Sequence, residues 1–99
     1  MDVVNLLDGR RFDPHPILAG PWRWLRVATI EPGAAEELQA GEVEYTVYVI
    51  DGEGQAQLGN GRSVPIRGGS ALTLLKGAEA TLSTTGSGPL RAFVVAIDT

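Results

Sequence analysis

Residues 43–51, VEYTVYVID, place Val43, Tyr45, Val47 and Val49 on one face of an extended chain and Glu44, Thr46, Tyr48 and Ile50 on the other. Such a two-residue period belongs to a strand with one buried face and rules out a helix there. The same kind of run recurs from Trp22 onward, always cut by Gly, Pro, Asn or Asp. WRWLRVATI (22–30) ends at Glu31-Pro32-Gly33, and a short run around Gln55 to Leu58 meets Gly59-Asn60-Gly61 before Ser63 to Ile66. SALTLL (70–75), AEATLSTT (78–85) and LRAFVVAI (90–97) follow, separated by Lys76-Gly77 and by Gly86-Ser87-Gly88-Pro89. These breaks are turn chemistry. About eight strands at this spacing predict an all-β sandwich or barrel. Only AAEELQ (34–39) has the propensity of a helical turn, and it is too short to stand alone.

A 99-residue chain is one domain with a single modest core. Residues 1–21, with Pro14-His15-Pro16, read as an N-terminal arm and edge strand, and residues 22–99 as the barrel. There is no cysteine, so a disulfide framework, a thiolate metal site and a catalytic thiol are all excluded. Neither a leader-like N-terminus nor a long apolar run is present, which predicts a cytoplasmic protein without a membrane partner. The net charge of −4 is unevenly spread: Val27 to Gly61 holds Glu31, Glu36, Glu37, Glu42, Glu44, Asp51 and Glu53 and no Lys or Arg. An acidic middle of this kind repels phosphate backbones and argues against nucleic acid as a partner.

Two spacings of glycine carry a resemblance to a known family. The first runs Gly33, Gln39, Gly41, Tyr45, Gly52 and the second Gly69, Leu75, Gly77, Ala80, Thr84. Together they resemble the two short motifs of the cupin superfamily, in its small single-domain bacterial form, over roughly residues 22 to 97. In that family the first motif is Gly, five residues, His, one residue, His, three or four residues, Glu, six residues, Gly. The second is Gly, five residues, Pro, one residue, Gly, two residues, His, three residues, Asn. The resemblance implies a cupin-type β-barrel, a double-stranded β-helix or jelly roll. The four glycines match and the ligand positions do not: Gln39, Gly41, Tyr45 and Ala80 stand where the family has three imidazoles and a carboxylate. Transition metals need imidazole, carboxylate or thiolate donors, so the expectation is no metal and no cofactor. His15, the one histidine, lies in the arm.

The resemblance further implies that Val43, Tyr45 and Val47 face the interior, with Ala80, Leu82, Thr84 and Gln39 on the facing wall. That would make a small, mostly apolar ligand site with a phenol, an amide and a hydroxyl as its polar points. Trp24 and Arg26 join the candidate ligand-binding set, as an indole that stacks on a ligand and a guanidinium that holds its anionic group. Alternation alone puts Trp22, Trp24 and Arg26 on one face and Arg23, Leu25 and Val27 on the other, without saying which is inside. Two functions stay open. One is a metal-independent barrel that binds a small organic molecule. The other is a cofactor-independent isomerase, cyclase or dehydratase using Tyr45 and Glu44 as acid and base, with Glu36, Glu37 and Glu42 as further carboxylates in the same stretch. A glutamate inside the site within hydrogen-bond reach of Tyr45 would favour the enzyme, and an interior free of carboxylates would favour binding. Self-association as a homodimer is expected in either case, with VVNLL of the arm as the element to lend.

Overall fold

The computed structural model describes residues 3–99; the first two residues of the expected arm lie outside them. The elements are β1 (Trp22–Ile30), β2 (Ala35–Gln39), β3 (Val43–Asp51), β4 (Glu53–Leu58), β5 (Ser63–Arg67), β6 (Ala71–Leu74), β7 (Glu79–Thr84) and β8 (Leu90–Asp98). They form two antiparallel four-stranded sheets. Sheet A has the order β1-β8-β3-β6 and sheet B the order β2-β7-β4-β5. Successive strands therefore alternate between the sheets, except at the hairpin β4-β5, and the result is the expected jelly roll.

The inner faces meet in one core. Sheet A supplies Val47, Val49, Leu90, Ala92, Val94 and Ala96, and sheet B supplies Leu38, Ala56, Ile66, Ala80 and Leu82. The alternation in β3 is realised as written, with Tyr45, Val47 and Val49 buried and Thr46, Tyr48 and Ile50 exposed. AAEELQ, the one stretch with helical propensity, is strand instead: Ala35 to Gln39 pair with Ser83 to Glu79 of β7. Burying Leu38 against the opposite sheet outweighs a propensity worth a few tenths of a kcal/mol per residue.

Two glycines make the close approaches that the roll requires. Gly52 joins β3 to β4 at φ 97°, with the Pro89 carbonyl close to where a side chain would start. Gly54 lies inside β4, and a Cβ there would strike the Ser83 carbonyl and the Leu90 side chain.

The arm is built from local turns. Asn5, Asp8 and Asp13 each accept from a backbone N–H two residues on. Phe12 and Leu25 exchange a pair of backbone hydrogen bonds at 2.7 and 2.8 Å, and the Pro21 carbonyl accepts from the Asp98 amide at 2.7 Å. Among the described residues no helix is long and apolar enough to cross a membrane.

Candidate functional site

The face of β1 that looks inward is fixed by a bulge. Trp24 pairs with Ala96, but a register shift between Trp22 and Trp24 puts Trp22 opposite Ile97 instead. Residues directly opposite in an antiparallel pair share a face, so the two tryptophans lie on opposite sides of the sheet. Trp24 packs against the core and Arg26 follows it on the inner face. Trp22 donates its indole N–H to the Ala19 carbonyl at 3.0 Å.

At one end of the barrel Trp24 meets Tyr45, with ring centroids 5.8 Å apart and planes tilted by 56°. Both residues pair with Ala96 of β8, so they occupy one row of sheet A. Such tilted pairs contribute beyond their buried area. The Arg11 guanidinium of the arm stacks on the Trp24 ring at 4.5 Å. Tyr45 is 9% exposed. Its hydroxyl bonds to none of the described residues, and no buried side-chain oxygen or nitrogen among them lacks a partner. The ring is thus core and the hydroxyl reaches solvent.

One row further along, Arg26 lies at the seam where the edge strands β1 and β2 come together. Its Nη1 donates to Glu36 Oε1 at 2.5 Å and its Nε to the Gly9 carbonyl at 3.0 Å. The two side chains are 22% and 23% exposed. Glu36 pairs with Leu82, a core residue, and so points inward. A single guanidinium therefore ties sheet A to sheet B and to the arm. Arginine carries five N–H donors, so this leaves others for a ligand.

Three expected positions belong elsewhere. Gln39 is exposed and pairs with Glu79, on the outer face of sheet B. Glu44 pairs with Ile97 on the outer face of sheet A, turned away from Tyr45 by the strand alternation. Thr84 lies four residues along β7 from Ala80, and its hydroxyl is used on the carbonyls of Glu53 at 3.1 Å and Gly88 at 3.0 Å. Val47 and Leu82 are fully buried and Ala80 nearly so, which makes them the packing beneath the site.

The residues that occupy the inner ring are Leu38, Ala40, Tyr45 and Ala80. Ala40 is 1% exposed and continues the β2-β7 ladder through hydrogen bonds with Ala78 and Gly77. The motif spacing anchored on Gly33 was one residue late at its first two ligand positions. A one-residue slip exchanges the faces of a strand, which is why Gln39 and Gly41 stood in for Leu38 and Ala40. Alternation around Leu38 in β2 was the available signal. Arg11 had none, because the arm shows no period.

Beside this ring a hollow of about 570 Å³ opens at the same barrel end. Leu58, Leu74 and Ala78 form its floor and Asn60, Leu75 and Glu79 its rim. Leu74 is the β6 partner of Tyr45, but none of the expected ligand residues lines the hollow. A second, more polar hollow of about 380 Å³ involves Glu37, Gln39, Gln57 and Glu79.

No family model and no curated protein sequence matches the chain. Solved structures do. A predicted oxalate decarboxylase from Thermotoga maritima superposes with a TM-score of 0.79 at 19% identity, covering 99% of this chain and 100% of that one. Ectoine synthase from P. lautus gives 0.79 at 19% identity, covering 99% and 78%. A cupin protein from Bacteroides fragilis gives 0.74 at 16% identity, covering 100% and 82%.

The chain has the cupin fold.

A cupin barrel of the metal-binding kind aims imidazoles and a carboxylate at one point inside. Here the corresponding inner ring is two alanines, a leucine and a phenol, and among the described residues no three His, Cys, Asp or Glu side chains come together. Aliphatic side chains donate no lone pair, so these residues do not fit the metal of that kind.

Proposed function

We propose that this cupin-fold protein binds a small organic molecule carrying an anionic group at the Trp24–Tyr45 end of the barrel, without a metal. The observation that carries this reading is the Tyr45 hydroxyl, free of described protein partners on an otherwise buried ring, beside an indole flanked by the Arg11 and Arg26 guanidinium groups. An apolar ring against indole and phenol, with its carboxylate or similar group on arginine, matches that set.

The test is a fluorescence titration of Trp22→Phe protein, in which Trp24 is the sole indole, against a panel of aromatic and aliphatic carboxylates, with mass spectrometry of ligands extracted from the purified protein. Binding is expected to change the Trp24 emission and to weaken about tenfold in Tyr45→Phe, the cost of one hydrogen bond to a charged group. An unmoved emission across the panel and no co-purified molecule would overturn the reading.

A second reading, acid–base chemistry of the cyclase, isomerase or dehydratase type, draws on one observation: Glu36 is an inward carboxylate. Of the carboxylates in the acidic stretch, Glu36 faces inward and Glu44 outward. The bond of Glu36 to Arg26 favours a positioned anion over a free base, and so favours binding. Turnover of a bound ligand that Glu36→Gln abolishes would reverse the preference.

A further inference from the structure

The arm holds two of the groups assigned to a ligand at the Trp24 end of the barrel. The Arg11 guanidinium stacks on the Trp24 ring at 4.5 Å, and the Gly9 carbonyl accepts from Arg26 Nε at 3.0 Å. A guanidinium offers a carboxylate two edges, Nε with Nη2 and Nη1 with Nη2, and a bidentate pair needs both donors of one edge. In Arg26 neither edge is whole, because Nη1 donates to Glu36 and Nε to Gly9. The bond to Glu36 belongs to the barrel and joins its two sheets. The bond to Gly9 belongs to the arm.

The arm is fastened at Phe12 and Pro14 and loose before them. Pro14 is fully buried, and Phe12 and Leu25 exchange their two backbone hydrogen bonds. Val3, Val4 and Leu7 are exposed. Arg11 is exposed as well and pairs with no carboxylate among the described residues. Gly9 is presented to Arg26 by a turn in which its φ is 74° and its N–H donates to the Leu6 carbonyl at 3.2 Å. A segment with so little burial opens locally at small cost compared with the strands.

We infer, on the ligand-binding reading, that residues 3–11 form an autoinhibitory strap: the Gly9 carbonyl and the Arg11 guanidinium compete with an aromatic carboxylate for Arg26 and Trp24. Binding lifts the strap about Phe12. Lifting it frees the Nε–Nη2 edge for both carboxylate oxygens and the indole for the ring of the ligand. Arg26 Nε carries a single hydrogen, which cannot serve the Gly9 carbonyl and a carboxylate at once, so the closed strap and the bidentate carboxylate exclude one another. The apparent affinity is then the intrinsic one reduced by the fraction of open strap.

Full-length Trp22→Phe protein, with Trp24 as its sole indole, is the parent for two variants. Gly9→Pro cannot adopt a φ of 74° and has no N–H for the Leu6 carbonyl, so it detaches the strap and keeps every charge. Arg11→Ala uncovers the indole. Without ligand, acrylamide quenching of Trp24 is expected to rise about twofold in both variants. In a titration with 3-phenylpropionate, Gly9→Pro should bind about tenfold more tightly than the parent, whereas the neutral 3-phenylpropionamide, which cannot fill the fork, should gain far less. Unchanged quenching in both variants would sink the strap whatever the ligand data. Weaker binding of 3-phenylpropionate by Gly9→Pro would do so too, by making the arm part of the site, and an equal gain for the amide would overturn the competition at Arg26. Failure of all three proteins to bind 3-phenylpropionate or its amide overturns the ligand reading instead, and the quenching then decides alone whether the arm covers Trp24.

Discussion

Arg26 shows how one side chain acquires three structural duties. It lies on a strand edge, its guanidinium meets a carboxylate of the opposite sheet, and its Nε donates to the Gly9 carbonyl of the arm. At roughly one-fifth exposure the pair is neither a solvated surface bridge nor a buried one, and its worth lies between the two. Arg26→Ala is expected to cost about 1–2 kcal/mol, the scale of lost hydrogen bonds from a charged donor. Hydrogen exchange should speed up at the Phe12 and Leu25 amides, which tie the arm to β1. Glu36→Gln should leave those amides protected, since the bond to Gly9 survives. Equal deprotection in both variants would show that the arm is held by something other than Arg26.

Among the strands, β4 depends most on a single residue without a side chain. Gly54 is buried between the Ser83 carbonyl and Leu90, so Gly54→Ala forces backbone or core to move. A loss of about 2–4 kcal/mol is expected, read from chemical denaturation; a change under about 0.5 kcal/mol would mean that β4 shifts freely and the packing there is loose. The sequence marks the β3-β4 turn at Gly52 but gives no sign that Gly54, inside a strand, is constrained by its neighbours across the sheet. In β2 the legible signal was weak for a different reason: its residues favour a helix locally, and only pairing with β7 makes them a strand.

For the whole molecule the inner ring decides how stability responds to metal. A chain folded around a bound ion loses stability when that ion is removed. With Leu38, Ala40, Tyr45 and Ala80 in the ring, addition of a chelator is expected to leave the thermal midpoint unchanged, and elemental analysis should find no stoichiometric iron, manganese, nickel or zinc. A drop of several degrees, or one equivalent of metal per chain, would show a donor set other than this ring.

The sequence by itself determined the all-β class, the near positions of seven of the eight strands and the inward face of β3, because a two-residue period and turn residues are local properties of the chain. It also marked Tyr45 as the polar point of the inner ring and Trp24 and Arg26 as candidates beside it. Tertiary structure decided the rest. The bulge at the start of β1 separated the two tryptophans, and the register of β2 replaced Gln39 and Gly41 by Leu38 and Ala40. Strand alternation turned Glu44 outward and Glu36 inward, and the arm brought Arg11 onto Trp24. Each of these depends on which strand lies beside which and in what register, and a shift of one residue, invisible in composition and nearly so in motif spacing, exchanges the inside of the barrel for its outside.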